Sequence, residues 1–175
     1  MKKQTKKNIL VSIIIPYHKK RGFFSSTIQS IKNQILKNYE VIVIYDDKNY
    51  EEISYVKKQI KKIKNNKLVI NKKIIGPGLS RNIGIKLARG KYISFCDADD
   101  TWKKDKLSYQ VNFMTKNNLK FSHSNYNIIT TTGIPAPFPL AIGENLLSKI
   151  LINFNKLIIN IWRSFFSYQI LCKIK

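Results

Sequence analysis

At 175 residues and 43% hydrophobic side chains, the chain has material for one sizeable core and too little length for two comfortable domains. Two distant cysteines, Cys96 and Cys172, exclude a disulfide framework and a cysteine metal site. With 32 basic residues against 10 acidic ones, the net charge is +22, which suits a polyanion such as nucleic acid, anionic lipid or a phosphorylated substrate. Only four of the basic residues are Arg, and a Lys/Ile/Asn bias is also what AT-rich coding sequence produces.

Residues 1–8 form a basic extension, and the apolar run after them ends at Pro16 without a small-residue cleavage site. Val11 to Pro16 is a β-branched run that predicts a buried strand. Ser25 or Ser26 is placed to cap a helix through Ile28, Ile31 and Ile35. Glu40 to Tyr45 predicts a second buried strand, ending at Asp46-Asp47. Ile53, Val56, Ile60 and Ile63 share a helical face, and Lys67 to Ile70 reads as a third strand. After the break at Gly76-Pro77-Gly78, Ser80 to Arg89 reads as a helix stopped by Gly90. Lys91 to Cys96 is a fourth strand running into Asp97-Ala98-Asp99-Asp100; Leu107, Val111 and Met114 mark a further helix, and Phe121 to Ile129 a fifth strand. Beyond Gly133, residues 134–143 form a Pro-rich link containing Pro135, Pro137 and Pro139. In 144–175, Lys149, Lys156 and Arg163 recur every seven positions among apolar residues, and no acid follows Glu144; the pattern predicts a basic amphipathic helical tail. No run reaches about 18 uninterrupted apolar residues, so no membrane span is predicted and a cytoplasmic location is expected.

Alternating strands and helices imply βαβ units and a mostly parallel sheet, whose ligands bind beyond the carboxyl ends of the strands. Both aspartate clusters stand there. Three carboxylates at Asp97, Asp99 and Asp100 would repel one another unless a cation intervened, and Mg²⁺ or Mn²⁺ takes one or two carboxylates plus substrate phosphates. The alternative is a solvated acidic turn. Asp46 and Asp47 suit a ribose or base N–H, or else a helix start near Glu51. Gly76 to Gly84 is a glycine loop entering a helix with Arg81 near its start, which suits a diphosphate, although it is neither a dinucleotide fingerprint nor a P-loop. His18 and His123 have no metal-like spacing.

Taken together, VSIIIPYH, EVIVIYDD and GPGLSRNIGIKLARGKYISFCDADDTW resemble the nucleotide-binding half of family 2 glycosyltransferases over roughly residues 9–132, which sets a domain at 9–133. The resemblance implies a GT-A type, Rossmann-like αβα sandwich. It implies an inverting, metal-dependent transferase that takes a sugar from a nucleotide-diphosphate donor, commonly a UDP-sugar, to a glycan or lipid-linked acceptor. Pro16 and Tyr17 would border the nucleobase. Asp47 would bond the base with Asp46 supporting it, and Arg81 and Asn82 would lie near the nucleotide. Asp97 would approach the ribose or the metal, and Asp99 would be the main ligand of Mn²⁺ or Mg²⁺.

The sequence departs from the family in two places. Asp47 is followed by Lys48-Asn49-Tyr50 where D-D-x-S is usual, and the family's downstream acidic base has no clear counterpart. Glu144 is the only late acid, so the base stays unassigned and sugar transfer by this stretch is expected to be weak. Asp97-Ala98-Asp99-Asp100-Thr101 also spells the D-x-D-x-T of haloacid dehalogenase-like phosphatases. There it ends the first strand and is followed by an acidic pair, and neither holds here. A basic nucleic-acid-binding module is the other class. Its lysines should interleave with aromatics, whereas here they spread over helix faces, so no nucleic acid partner is expected. The basic tail instead suits peripheral contact with an anionic membrane at its inner face.

Overall fold

The computed structural model describes residues 8–124, 128–129, 135–136 and 169–174. Strand β1 (Val11–Tyr17) lies at the middle of the sheet because Val11, Ile13, Ile14 and Ile15 are apolar and β-branched and fall on both faces, which suits burial on both. It pairs in parallel with β2 (Tyr39–Tyr45) on one side and with β4 (Tyr92–Phe95) on the other. Strand β3 (Asn66–Ile70) extends the sheet in parallel beyond β2. Helices α1 (Arg21–Lys32), α2 (Glu52–Ile60), α3 (Pro77–Leu87) and α4 (Lys106–Lys116) connect or follow these strands.

Strand alternation divides the core into two layers. Val11, Ile13, Ile15, Val41 and Val43 join Phe24, Ile28 and Ile31 of α1, Val56 and Ile60 of α2, and Leu107, Val111 and Met114 of α4. On the opposite face Ile14, Ile93 and Phe95 meet Ile85 and Ala88 from α3 and its end. Each fully buried Ile or Val of this kind stabilises by about 1.5–3 kcal/mol. The result is the expected mostly parallel α/β sheet with helices on both faces.

The boundaries differ from the sequence expectation for long-range reasons. Helix α1 starts at Arg21, with Lys20 as N-cap and no side-chain cap bond, so neither Ser25 nor Ser26 caps it. Ser25 Oγ instead donates to Gln59 Oε1 of α2 at 3.3 Å. Ile35 lies beyond the helix and is exposed. Helix α3 starts at Pro77, since Gly76 at φ 86 turns the chain and proline suits a first helical position. It ends at Leu87 because the Arg89 and Gly90 amides are drawn to Glu40 and Ser12 at 2.8 and 2.9 Å. The expected fifth strand is split: β5 (Phe121–Ser124) joins the main sheet, while β6 (Ile128–Ile129) pairs with β7 (Pro135–Ala136), inside the Pro-rich link.

The largest correction concerns the tail. Gln169–Lys173 is not helical but forms β8, which runs antiparallel between β4 and β5. Its register sets fully buried Leu171 between Ser94 and Ser122, a large side chain between two small ones. A central strand such as β4 needs pairing on both edges, and that demand overrides the helical spacing read upstream. The remainder of 144–168, the first seven residues and most of the Pro-rich link lie outside the described residues. Among the described residues no helix is long and apolar enough to cross a membrane.

Candidate active site

The sheet order β3-β2-β1-β4 sets three loops side by side: those leaving β2 at Tyr45, β1 at Tyr17 and β4 at Phe95. The chain winds outward from β1 to β3 and then returns to β4 on the other flank of β1. The gap between β1 and β4 is therefore the switch point where ligands of such sheets bind.

Asp46 and Asp47 are both buried after β2, and neither is a bare turn residue. Asp46 accepts from Asn71 Nδ2 at 2.8 Å, from Ile75 N at 3.0 Å and from Gly76 N at 2.7 Å. It thereby fastens the loop that launches α3. Asp47 accepts from Lys19 N at 2.9 Å and Asn49 N at 3.0 Å, holding the turns after both β1 and β2. Burial pushes the Asp47 carboxyl up, but those amides, with His18 and Lys48, outweigh it and hold it below the usual aspartate value. His18, which has no metal-like spacing in the sequence, has a local role: its Nδ1–H donates to the Asp46 carbonyl at 2.7 Å, and it stands 3.8 Å from Asp47.

Tyr17 is fully buried. Its ring stacks on Tyr45 at 5.3 Å, meets the edge of Phe24 at 4.9 Å, and its hydroxyl donates to Glu52 Oε2 at 2.6 Å. Burial and the Glu52 carboxylate push its pKa upward, so it stays neutral and supports the loop from below. Pro16, half-buried, pairs with Ile44 in the sheet.

Four charges meet at the switch point. Arg81, on the second turn of α3 and 6% exposed, binds the Asp97 carboxylate through Nη2. Lys20 Nζ lies 2.7 Å from Asp99 Oδ2, with both side chains partly exposed. Asn82 follows Arg81, and its Oδ1 is buried without a hydrogen-bond partner among the described residues. Sequence reasoning missed Lys20 and Glu52, because each acts on a residue far along the chain. Behind the aspartates, Lys106 lies 4.2 Å over the Trp102 ring and donates to Gln110 Oε1 at 2.6 Å; burial lowers its pKa to about 8. Burial pushes the Cys96 thiol up, so it stays protonated and unreactive. Glu144 lies outside the described residues, and His123 is exposed on β5.

Among the described residues no three His, Cys, Asp or Glu side chains form a metal cage. The donor set is instead two partly exposed carboxylates, Asp97 and Asp99, each already facing a side-chain cation. Hard oxygens in that number suit a divalent cation that completes its shell from substrate phosphates and water.

The model of the family described as Glycosyl transferase family 2 matches residues 12–159. The chain belongs to this family. An uncharacterized glycosyltransferase of Rickettsia conorii is 41% identical to this family 2 chain over 133 residues, which cover 76% of the chain and 22% of that protein. The Escherichia coli UDP-Glc:alpha-D-GlcNAc-diphosphoundecaprenol beta-1,3-glucosyltransferase WfgD is 34% identical over 146 residues, covering 80% of the chain and 55% of that enzyme. The chain therefore spans between a fifth and rather more than half of these relatives. Among solved structures, S. aureus TarS 1-349 in complex with UDP superposes with a TM-score of 0.59 at 26% identity, over 64% of this chain and 34% of that one. The sheet and its flanking helices are thus of the GT-A type that the motifs implied.

Proposed function

We propose that this chain holds the nucleotide diphosphate of a sugar donor, a UDP-sugar, at the β1/β4 switch point, for transfer with inversion to a lipid-linked or polymer acceptor. The observation that carries the reading is the quartet of Asp97, Asp99, Arg81 and Lys20. The donor class is supported by the UDP complex of TarS, and the acceptor class by the diphosphoundecaprenol substrate named for WfgD.

The residues divide the work by chemistry. Asp47 keeps acceptor capacity beyond the amides it already accepts from, because a carboxylate has about four lone-pair sites, so it can take a base N–H. Asp46 holds the loop and α3 in place. Arg81 presents a planar donor fork suited to phosphate oxygens, and the buried Asn82 Oδ1 is a ready acceptor beside it. Asp99 with Asp97 would hold Mn²⁺ or Mg²⁺, which when bound supplies Lewis-acid stabilisation of a departing diphosphate. The base that deprotonates the acceptor is unassigned; Glu144 is the candidate the sequence offers. A cytoplasmic site at the inner membrane face fits a lipid-linked acceptor and the basic residues of 144–168.

Calorimetry with a panel of nucleoside diphosphates tests this. UDP should bind in Mn²⁺ and lose its affinity in EDTA. Asp99→Ala should weaken it by at least about tenfold, as expected for losing one charge-assisted ligand. Equal affinity in EDTA, or an Asp99→Ala variant as tight as the parent, would overturn the assignment.

A further inference from the structure

We propose that Lys20 is an exchange residue: it holds Asp99 while no cation is bound, and turns to the donor diphosphate when a divalent cation takes that carboxylate. The proposal rests on the donor-site reading above and adds a residue that no motif picked out.

The backbone of Lys20 is fixed while its ammonium is not. Its carbonyl caps α1, accepting from Phe23 N at 3.1 Å and Phe24 N at 3.0 Å. The preceding Lys19 is held at φ 50, a left-handed conformation unusual for a non-glycine residue, by its amide bond to Asp47. From that anchor a four-carbon stem swings a compact charge. The Lys20 and Asp99 side chains are 43% and 36% exposed, so their pair is screened by water and readily broken. Arg81 differs: its side chain is 7% exposed and planar, set to stay where it is.

Charge balance gives the exchange its direction. Asp100 beside them carries the same charge before and after, so the balance turns on the two carboxylates and two cations of the ion pairs, which sum to zero. A divalent cation together with a doubly charged sugar-nucleotide diphosphate also sums to zero. When the carboxylates turn to the cation, the side-chain cations have the diphosphate to turn to, and nothing is left uncompensated. A divalent cation arriving alone must instead displace Lys20 and remain close to its charge. Lys20 therefore opposes the cation on its own and favours the cation with its diphosphate.

This predicts effects of opposite sign, which damage to the fold would not produce. The full chain carrying Lys20→Gln is titrated with Mn²⁺ alone, followed by electron paramagnetic resonance, and with UDP at saturating Mn²⁺ by calorimetry. Mn²⁺ alone should bind about threefold to fivefold tighter than to the parent, and UDP weaker by a similar factor, the range expected of an exposed charge pair. Lys20→Arg should restore both values toward the parent, and Lys58→Gln on the outer face of α2 should move neither. Weakening of both ligands, or UDP affinity unchanged, would overturn the exchange. A parent protein that binds neither Mn²⁺ nor UDP would instead overturn the donor-site reading, and the exchange with it.

Discussion

Glu40 shows how a single buried charge is tolerated in this fold. It sits at the amino end of β2 with its side chain 5% exposed, and it would be costly there without partners. Ser12 Oγ donates to it at 2.7 Å, the Arg89 amide at 2.8 Å, and Arg89 Nε and Nη2 at 2.9 and 2.7 Å. Burial raises the carboxyl pKa, but these donors outweigh burial and set it below the ordinary value of 4.5. A folded-state value below the unfolded one means that Glu40 binds its proton less readily when folded. Its stabilisation is therefore complete above the ordinary glutamate range and is lost as the pH falls through the folded value. Glu40→Gln should cost about 1–3 kcal/mol at neutral pH, the usual penalty for buried donors left poorly matched. It should also flatten the acid limb of the stability profile. Urea midpoints at neutral pH and at several points below 4.5 check this; a variant as acid-sensitive as the parent would place the titrating group elsewhere.

At the scale of elements, α3 is held at both ends and pressed on the sheet at its middle. Asp46 fastens the entering loop, the Glu40 cluster fastens the exit, and Gly84 lies against Ile14. A Cβ at position 84 would stand 2.4 Å from Ile14 Cγ2. Gly84→Ala gains roughly 1 kcal/mol of helix propensity, yet overpacking of this kind costs about 1–3 kcal/mol. We expect net destabilisation, and a loss of UDP affinity as Arg81, one turn earlier, moves with the helix. Ile14→Ala should make a cavity-type loss that is less than additive with the overpacking of Gly84→Ala, because it relieves the clash. Full additivity in a denaturation cycle would show that α3 is not seated on Ile14. This helix also marks what was legible in the sequence. The apolar runs of β1, β2 and β4 announce themselves, and the aspartates after them fall at the carboxyl edge by topology alone. What stayed hidden depends on contacts between distant residues: the pairing of Lys20 with Asp99, the role of Asp46 as a fastener, and above all β8. Residues 169–173 are short and lie in a Lys- and Ile-rich stretch that reads equally as helix, and only the unpaired edges of β4 and β5 make them a strand.

Across the whole molecule, the described acids are few and most are held by the chain itself, while most described lysines are exposed. Among the described residues Glu40, Asp46, Asp47, Glu52, Asp97 and Asp99 are engaged by side chains or amides of the chain itself. The field outside is accordingly that of the lysines, which would draw the proposed anionic donor toward the site and weakens as salt shortens its range to about 10 Å or less. The same field bears on where the chain would act. If 144–168 lies on an anionic membrane, each basic residue there contributes about 1 kcal/mol, and Lys149, Lys156 and Arg163 together account for about a hundredfold in partition. Deleting the segment is not a clean test, because a deletion that reaches residues 169–173 also removes β8 and unpairs β4 and β5. Charge substitution avoids this. The triple variant Lys149→Gln, Lys156→Gln, Arg163→Gln leaves β8 in place and should keep the parent's UDP affinity. On vesicles containing anionic lipid its retention should fall by about two orders of magnitude, while neither protein should be held by neutral vesicles. Retention equal to the parent's would mean that the basic residues of 144–168 do not carry the membrane contact. The field of the lysines would then act on the soluble donor alone.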